Sequence, residues 1–84
     1  MTHALKTWPE YFKAIESEAK TFEIRLFDRP FRVGEKLLLQ EYDPEKQKYT
    51  GKELEREITY IFPGTDRFGV NQNYCVMGIK PIEY

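Results

Sequence analysis

The run Trp8-Pro9-Glu10-Tyr11-Phe12-Lys13-Ala14-Ile15-Glu16-Ser17-Glu18-Ala19-Lys20-Thr21-Phe22-Glu23-Ile24-Arg25-Leu26 changes its hydrophobic period once, near Lys20, and that change decides the fold class. Before it, Trp8, Tyr11, Phe12, Ile15 and Ala19 recur at intervals of three and four and fall on one stripe of an α-helix. Pro9 suits a first helical turn, where no amide hydrogen is needed. Thr7 and Glu10 have the spacing of a capping box. A helix over residues 8–18 is expected. From Thr21 the period is two: Phe22, Ile24 and Leu26 alternate with Thr21, Glu23 and Arg25. This is a strand, expected to bury its even positions and to present Glu23 and Arg25 on the opposite face.

Outward from this run the chain alternates strands and turns. Asp28-Arg29-Pro30 ends the strand from Thr21, and Val33-Gly34-Glu35 turns into an apolar strand over Lys36 to Tyr42. Asp43-Pro44-Glu45 and Thr50-Gly51-Lys52 bound a polar excursion, expected to be an exposed loop or ragged hairpin. Glu57 to Phe62 reads as a strand ended by Pro63-Gly64, residues 66–73 as a loop, and Tyr74 to Ile79 as the last strand. His3 to Lys6 is a short first one. One helix cannot cover both faces of an open sheet of such strands. The expected fold is therefore α+β, a single domain over residues 1–84: a small, strongly bent β-barrel of about five strands with the N-terminal helix packed at its opening.

Composition narrows the function classes. The 84 residues carry 13 Lys and Arg against 14 Asp and Glu, a net charge of −1, which excludes nucleic-acid binding by bulk charge and leaves only a local patch. The single cysteine, Cys75, rules out an internal disulfide and a zinc site of several thiolates; in a strand pattern it is expected to be buried and inert. Apolar stretches such as Leu37 to Leu39 are far short of the roughly 20 residues that span a bilayer. The opening residues have no charged leader followed by an apolar segment. A cytoplasmic protein without membrane contact is expected. His3 is the only histidine and has no carboxylates at ligand spacing, so neither a metal nor a cofactor is expected. Ser17 is the only serine and lies far from His3 in sequence. The five glycines form no phosphate loop.

The cluster that could carry chemistry is Lys20, Glu23 and Arg25. With Glu23 and Arg25 on one strand face, just beyond the end of the helix, an ammonium, a carboxylate and a guanidinium converge where helix meets barrel. The same three residues also read as an ion pair on a solvated strand, worth about 0–1 kcal/mol. Around them Arg29, Arg32 and Lys36 give residues 20–36 a local positive excess, whereas residues 41–57 have a negative one. His3, Lys6 and Trp8 precede or open the helix, whose free amide donors favour anions. Trp8 lies on the apolar stripe and is expected in the core, although an indole there could also stack on a base.

Lys20-Thr21-Phe22-Glu23-Ile24-Arg25 resembles the KxxExR core of the GxKxxExR motif of ASCH domains, members of the PUA-like β-barrel superfamily. His3-Ala4-Leu5-Lys6, Trp8-Pro9-Glu10-Tyr11-Phe12, Asp28-Arg29, Val33-Gly34-Glu35, Leu39-Gln40-Glu41-Tyr42-Asp43 and Val76-Met77-Gly78-Ile79 are similar to a small bacterial and phage group of stand-alone ASCH-like proteins of unknown function. The resemblance implies a cleft between helix and barrel lined by Lys20, Glu23 and Arg25, and binding of RNA or a nucleotide. The motif's leading glycine corresponds to Glu18, so the helix must end without glycine's freedom at positive φ, and a negative charge is placed near the cleft.

The expected function is RNA or nucleotide-like ligand binding through Lys20, Glu23 and Arg25, with Arg29, His3, Lys6 and Trp8 around them. Two alternatives stay open. Some ASCH-like proteins are amidohydrolases of an acylated cytidine or ribonucleases, which implies a metal-independent hydrolase using Lys20 and Glu23. The amidohydrolases place a threonine nucleophile where this chain has Glu23. The other alternative is a protein-interaction module that uses the tyrosines and the acidic 41–57 segment. Oligomeric state is not legible in the sequence.

Overall fold

The computed structural model describes residues 1–84. Five strands, β1 (Thr2–Thr7), β2 (Phe22–Leu26), β3 (Lys36–Asp43), β4 (Lys48–Pro63) and β5 (Tyr74–Pro81), form one sheet in the order β1-β3-β4-β5-β2. A helix, α1 (Pro9–Glu16), follows β1, and a short 3₁₀ turn spans Asp66–Phe68. β1 runs parallel to β3, and every other pairing is antiparallel.

The sheet is curled into a half-barrel by irregularities in β4. Ile58 pairs with Ile79 and Tyr60 with Gly78, so Thr59 is an extra residue on β4. A side chain on Gly78 would place its Cβ 2.7 Å from Thr59 Oγ1, so glycine is what lets the bulge form there. Between Gln40↔Glu53 and Tyr42↔Tyr49, β3 uses one residue, Glu41, while β4 uses Thr50, Gly51 and Lys52. Such bulges bend and twist a strand, and this curvature gathers the inward residues of all five strands. The core cluster consists of Leu5, Ile15, Phe31, Leu37, Leu39, Ile58, Cys75, Met77 and Ile79. Helix α1 packs against β3, with Phe12 and Ile15 buried. The Arg56 Nη2 group donates to the Ile15 carbonyl at 3.2 Å and ties β4 to the helix.

Five strands and one helix match the expected class, but the sheet does not close: β1 and β2 are its two edges and are not paired with each other. Of the loop or ragged hairpin expected from Asp43, the structure has the hairpin, with its second strand beginning at Lys48 and its register broken between Gln40 and Tyr42. The expected capping box is absent. Thr7 is the last residue of β1 with its side chain turned inward, 3% exposed, so its hydroxyl cannot reach the helix, and Trp8 is the N-cap without a side-chain bond. Trp8, expected in the core, is half exposed for the same reason: it stands at the strand-to-helix corner, outside the helical stripe.

The largest correction concerns β2. Its period is two, but its phase is opposite to the expected one. Phe22, Ile24 and Leu26 face outward, while Glu23 is 2% exposed. The register explains this, because Glu23 lies opposite Met77 and Arg25 opposite Cys75, and directly opposed residues of an antiparallel pair share a face. Met77 and Cys75 fill the core, so Glu23 and Arg25 face inward beside them.

Candidate functional site

Where the two sheet edges approach each other, the chain leaves a cleft of about 780 Å³. Lys6, Thr7 and Trp8 at the end of β1, Tyr11 of α1, Lys20, and Phe22 to Arg25 of β2 line it together with Tyr74. Helix α1 positions Lys20 through its C-terminal turn. Ser17 is the C-cap, the Glu18 N–H donates to the Ile15 carbonyl at 3.0 Å, and the Lys20 N–H donates to the Ala14 carbonyl at 2.9 Å. Glu18 takes φ 64 to make this reversal, so the chain adopts the left-handed conformation at the motif's glycine position without having the glycine.

Glu23 organises the floor. Its Oε1 accepts from Lys20 Nζ at 2.9 Å and its Oε2 from Arg25 Nε at 2.8 Å. A carboxylate this deeply buried is tolerable because both oxygens are met by cations. Arg25 also spans the open seam of the half-barrel: Nη2 donates to the Lys6 carbonyl at 2.7 Å and approaches Thr7 Oγ1 at 3.4 Å. The remaining guanidinium nitrogen, Nη1, has no protein partner. Lys20 spends one of its three donors on Glu23. Its ammonium lies 5.4 Å from the Tyr11 ring centre and 5.1 Å from that of Phe22, within cation–π range. Trp8 stacks near Tyr11, with ring centres 6.5 Å apart. The cleft therefore has aromatic walls and a charged floor.

A family model matches residues 2–79. The chain belongs to the family described as a domain of unknown function, DUF3850. That match covers the helix, the first four strands and β5 as far as Ile79, and so takes in every residue of the cleft. No match to the DUF3850 chain is found among curated proteins.

Of the residues expected at the site, Lys20, Glu23, Arg25, Lys6 and Trp8 meet in the cleft of this DUF3850 domain, and His3 and Arg29 do not. His3 is buried near the start of β1, where its Nε2 lies 2.8 Å from Glu35 Oε1 and its ring meets Phe31 edge-on at 4.7 Å. Arg29 lies over Phe31 and beside Asp28. Glu35 also accepts from the Arg32 N–H at 3.0 Å. The His3 hydrogen bond, helped by the one from Arg32, holds the Glu35 carboxyl below its ordinary value against the opposing effect of burial. Burial pushes the Cys75 thiol up, with the Asp28 charge adding to it. The sequence reading missed Tyr11, Phe22, Ile24 and Tyr74 as walls of the cleft. Tyr11 lies on the helical stripe expected in the core, Phe22 and Ile24 on the strand face expected to point inward, and Tyr74 on a strand distant in sequence.

Proposed function

We propose that this cleft binds RNA or a nucleotide-like ligand, and that the half-barrel is an ASCH-type member of the PUA-like superfamily. The observation that carries the reading is one pocket with two kinds of surface: Lys20 and Arg25, held in place by the buried Glu23, beneath exposed rings of Trp8, Tyr11, Phe22 and Tyr74. Base rings stack on aromatic walls at about 1–3 kcal/mol per base, and ammonium or guanidinium groups hold phosphate or carbonyl oxygens. Glu23 orients the two cations and offers little else, since both of its oxygens are already engaged. The same saturation counts against hydrolysis, which would need Glu23 free to take a proton from water. A lone, buried Cys75 fits a reducing cytoplasmic setting.

The test is a titration of isotope-labelled protein with short RNA oligomers and nucleosides, followed at backbone amides. Shifts are expected at residues 6–11 and 20–25, and Lys20→Ala should weaken binding in a protein that still folds cooperatively, its melting temperature lowered by about 5–10 °C because one Glu23 oxygen loses its partner. Equal affinity in Lys20→Ala, or shifts confined to residues 41–57, would refute the reading and favour a protein-interaction role.

A further inference from the structure

One buried charged group has no part in the cleft as described so far. Glu41 is 5% exposed, and its Oε2 is a buried side-chain oxygen without a hydrogen-bond partner. The other oxygen, Oε1, accepts from the Thr50 hydroxyl at 2.7 Å. Glu41 stands directly behind the cleft wall, because it pairs with Thr7 across the parallel β1–β3 ladder and Thr7 is a lining residue. Three of the four buried polar residues, Thr7, Glu23 and Glu41, thus belong to the Arg25 end of the half-barrel.

The local backbone serves this carboxylate. The wide bulge of Thr50, Gly51 and Lys52 opposite Glu41, with Gly51 at φ 95, delivers the Thr50 hydroxyl to Oε1 and leaves Oε2 bare. Bulges commonly re-aim side chains beside binding sites, and an unpaired buried acceptor is expensive enough to need a partner from outside the protein. Thr7 is the residue that stands between Glu41 and the cleft. Its hydroxyl makes only long contacts, 3.5 Å to the Leu5 carbonyl and 3.4 Å to Arg25 Nη2, so little hydrogen bonding opposes its displacement by a ligand.

Charge then selects the ligand. Lys20 and Arg25 are balanced by Glu23 and Glu41, and Lys6, though it lines the cleft rim, holds its ammonium 4.4 Å from the Tyr42 ring centre on the exposed side of β1 and meets Arg25 through its carbonyl. A phosphate reaching this corner would face the bare carboxylate oxygen of Glu41. A neutral edge that carries an N–H beside a C=O has the donor that Glu41 Oε2 lacks and the acceptor that Arg25 Nη1 lacks. We propose that Glu41 is a ligand-contacting residue that accepts an N–H from an uncharged nucleobase edge, so that the cleft takes a base rather than a phosphate. This rests on the cleft being a nucleotide-like ligand site.

The experiment titrates the full chain, Glu41→Gln and Lys20→Ala with guanosine, cytidine and uridine and with their 5′-monophosphates. Glutamine keeps an oxygen for Thr50 and replaces Oε2 by an NH₂ donor. The nucleoside and its monophosphate should bind within about threefold of each other, and Glu41→Gln should weaken nucleoside binding about tenfold or more. In the wild-type chain, the Glu41 side-chain carboxyl carbon resonance should move on addition of nucleoside, a readout that needs no variant. Wild-type affinity in Glu41→Gln with an unmoved carboxyl resonance, while Lys20→Ala loses binding, would overturn the role of Glu41 and leave the cleft standing. A monophosphate that binds about tenfold more tightly than its nucleoside would overturn the choice of base over phosphate. If no probe binds the wild-type chain, the cleft reading falls, and this inference falls with it.

Discussion

Glu18 is an exposed residue whose replacement by glycine should stabilise the fold. It follows the C-cap Ser17 and takes φ 64, where a side chain crowds the following carbonyl at a cost of roughly 1–2 kcal/mol. Glycine removes that cost but gives back about 0.4–1 kcal/mol, because its unfolded chain has more conformations to lose. The net expectation is about 0.5–1 kcal/mol of added stability. For a domain of this size, that raises the melting temperature by about 3–6 °C. Little is lost in exchange: the reversal is held by main-chain bonds from Glu18 to Ile15 and from Lys20 to Ala14, which glycine retains. Glu18→Ala is the control, since it removes the charge and keeps the Cβ; it should melt within about 2 °C of the wild type. Thermal unfolding followed by circular dichroism, with urea midpoints at 25 °C, measures all three proteins. Should Glu18→Gly melt at or below Glu18→Ala, the strain argument is refuted, and the left-handed turn is not where the cost lies.

Other perturbations test the seam, the His3 contact and one tight turn. Glu23→Ala leaves Lys20 and Arg25 without their shared counter-charge and should cost about 2–3 kcal/mol, less than a fully buried pair because both cations are partly exposed; a loss below about 1 kcal/mol in urea unfolding would contradict this. Glu35 is held below its ordinary value of 4.5, so its contribution is complete above that pH and is lost as pH falls through the lowered value. Glu35→Gln should therefore be less stable than wild type at pH 7, and the gap should narrow as pH falls below 4.5; a gap that stays constant or widens toward acid would be wrong for this mechanism. Gly64→Ala would put a Cβ 1.9 Å from the Asn71 carbonyl oxygen and 2.6 Å from that of Tyr74. Because both atoms are backbone, the cost should be about 3 kcal/mol, and a melting temperature unchanged from wild type would show that the 63–74 segment can shift freely.

The sequence carried periodicity well and phase poorly. The helix over residues 9–16 and the strands from Lys36 and Tyr74 follow from hydrophobic spacing alone. In β2 the pattern Phe22-Glu23-Ile24-Arg25-Leu26 has the right period, but an apolar triplet beside two charges gave the natural and incorrect assignment of faces. What reversed it is long-range: pairing with Met77 and Cys75, and two cations that make burial of Glu23 tolerable. Long-range placement also hid Glu41. Its side chain sits in a row with Leu37 and Leu39, which reads as the polar end of an apolar strand, and only the parallel register with Thr7 and the bulge around Gly51 bring it behind the cleft. His3 lies outside the cleft for a related reason: it sits near the start of β1, beside Leu37, whereas the cleft is reached only at the strand's other end, at Lys6 and Thr7.

The same triad serves the fold and the cleft, and its members differ in how they divide those duties. Arg25 is bound to the framework, since its Nη2 bond to the Lys6 carbonyl links the two unpaired edges of the sheet, β1 and β2. Removing it would open the seam that shapes the cleft, and loss of binding in an Arg25 variant would not separate contact from collapse. Lys20 makes one side-chain hydrogen bond, to Glu23, and otherwise lies over Tyr11 and Phe22 with donors to spare. Glu23 stands between them, buried by the register of β2 and made tolerable by both. In a half-barrel this small, an opening between edge strands is a structural liability that needs a bridge. Building the bridge from a guanidinium and a carboxylate closes the edges and leaves polar atoms facing the gap. The charges in the cleft are then a consequence of how the open seam is bridged, which is why the lysine, the member least needed for the bridge, is the one whose removal tests whether the cleft binds a ligand.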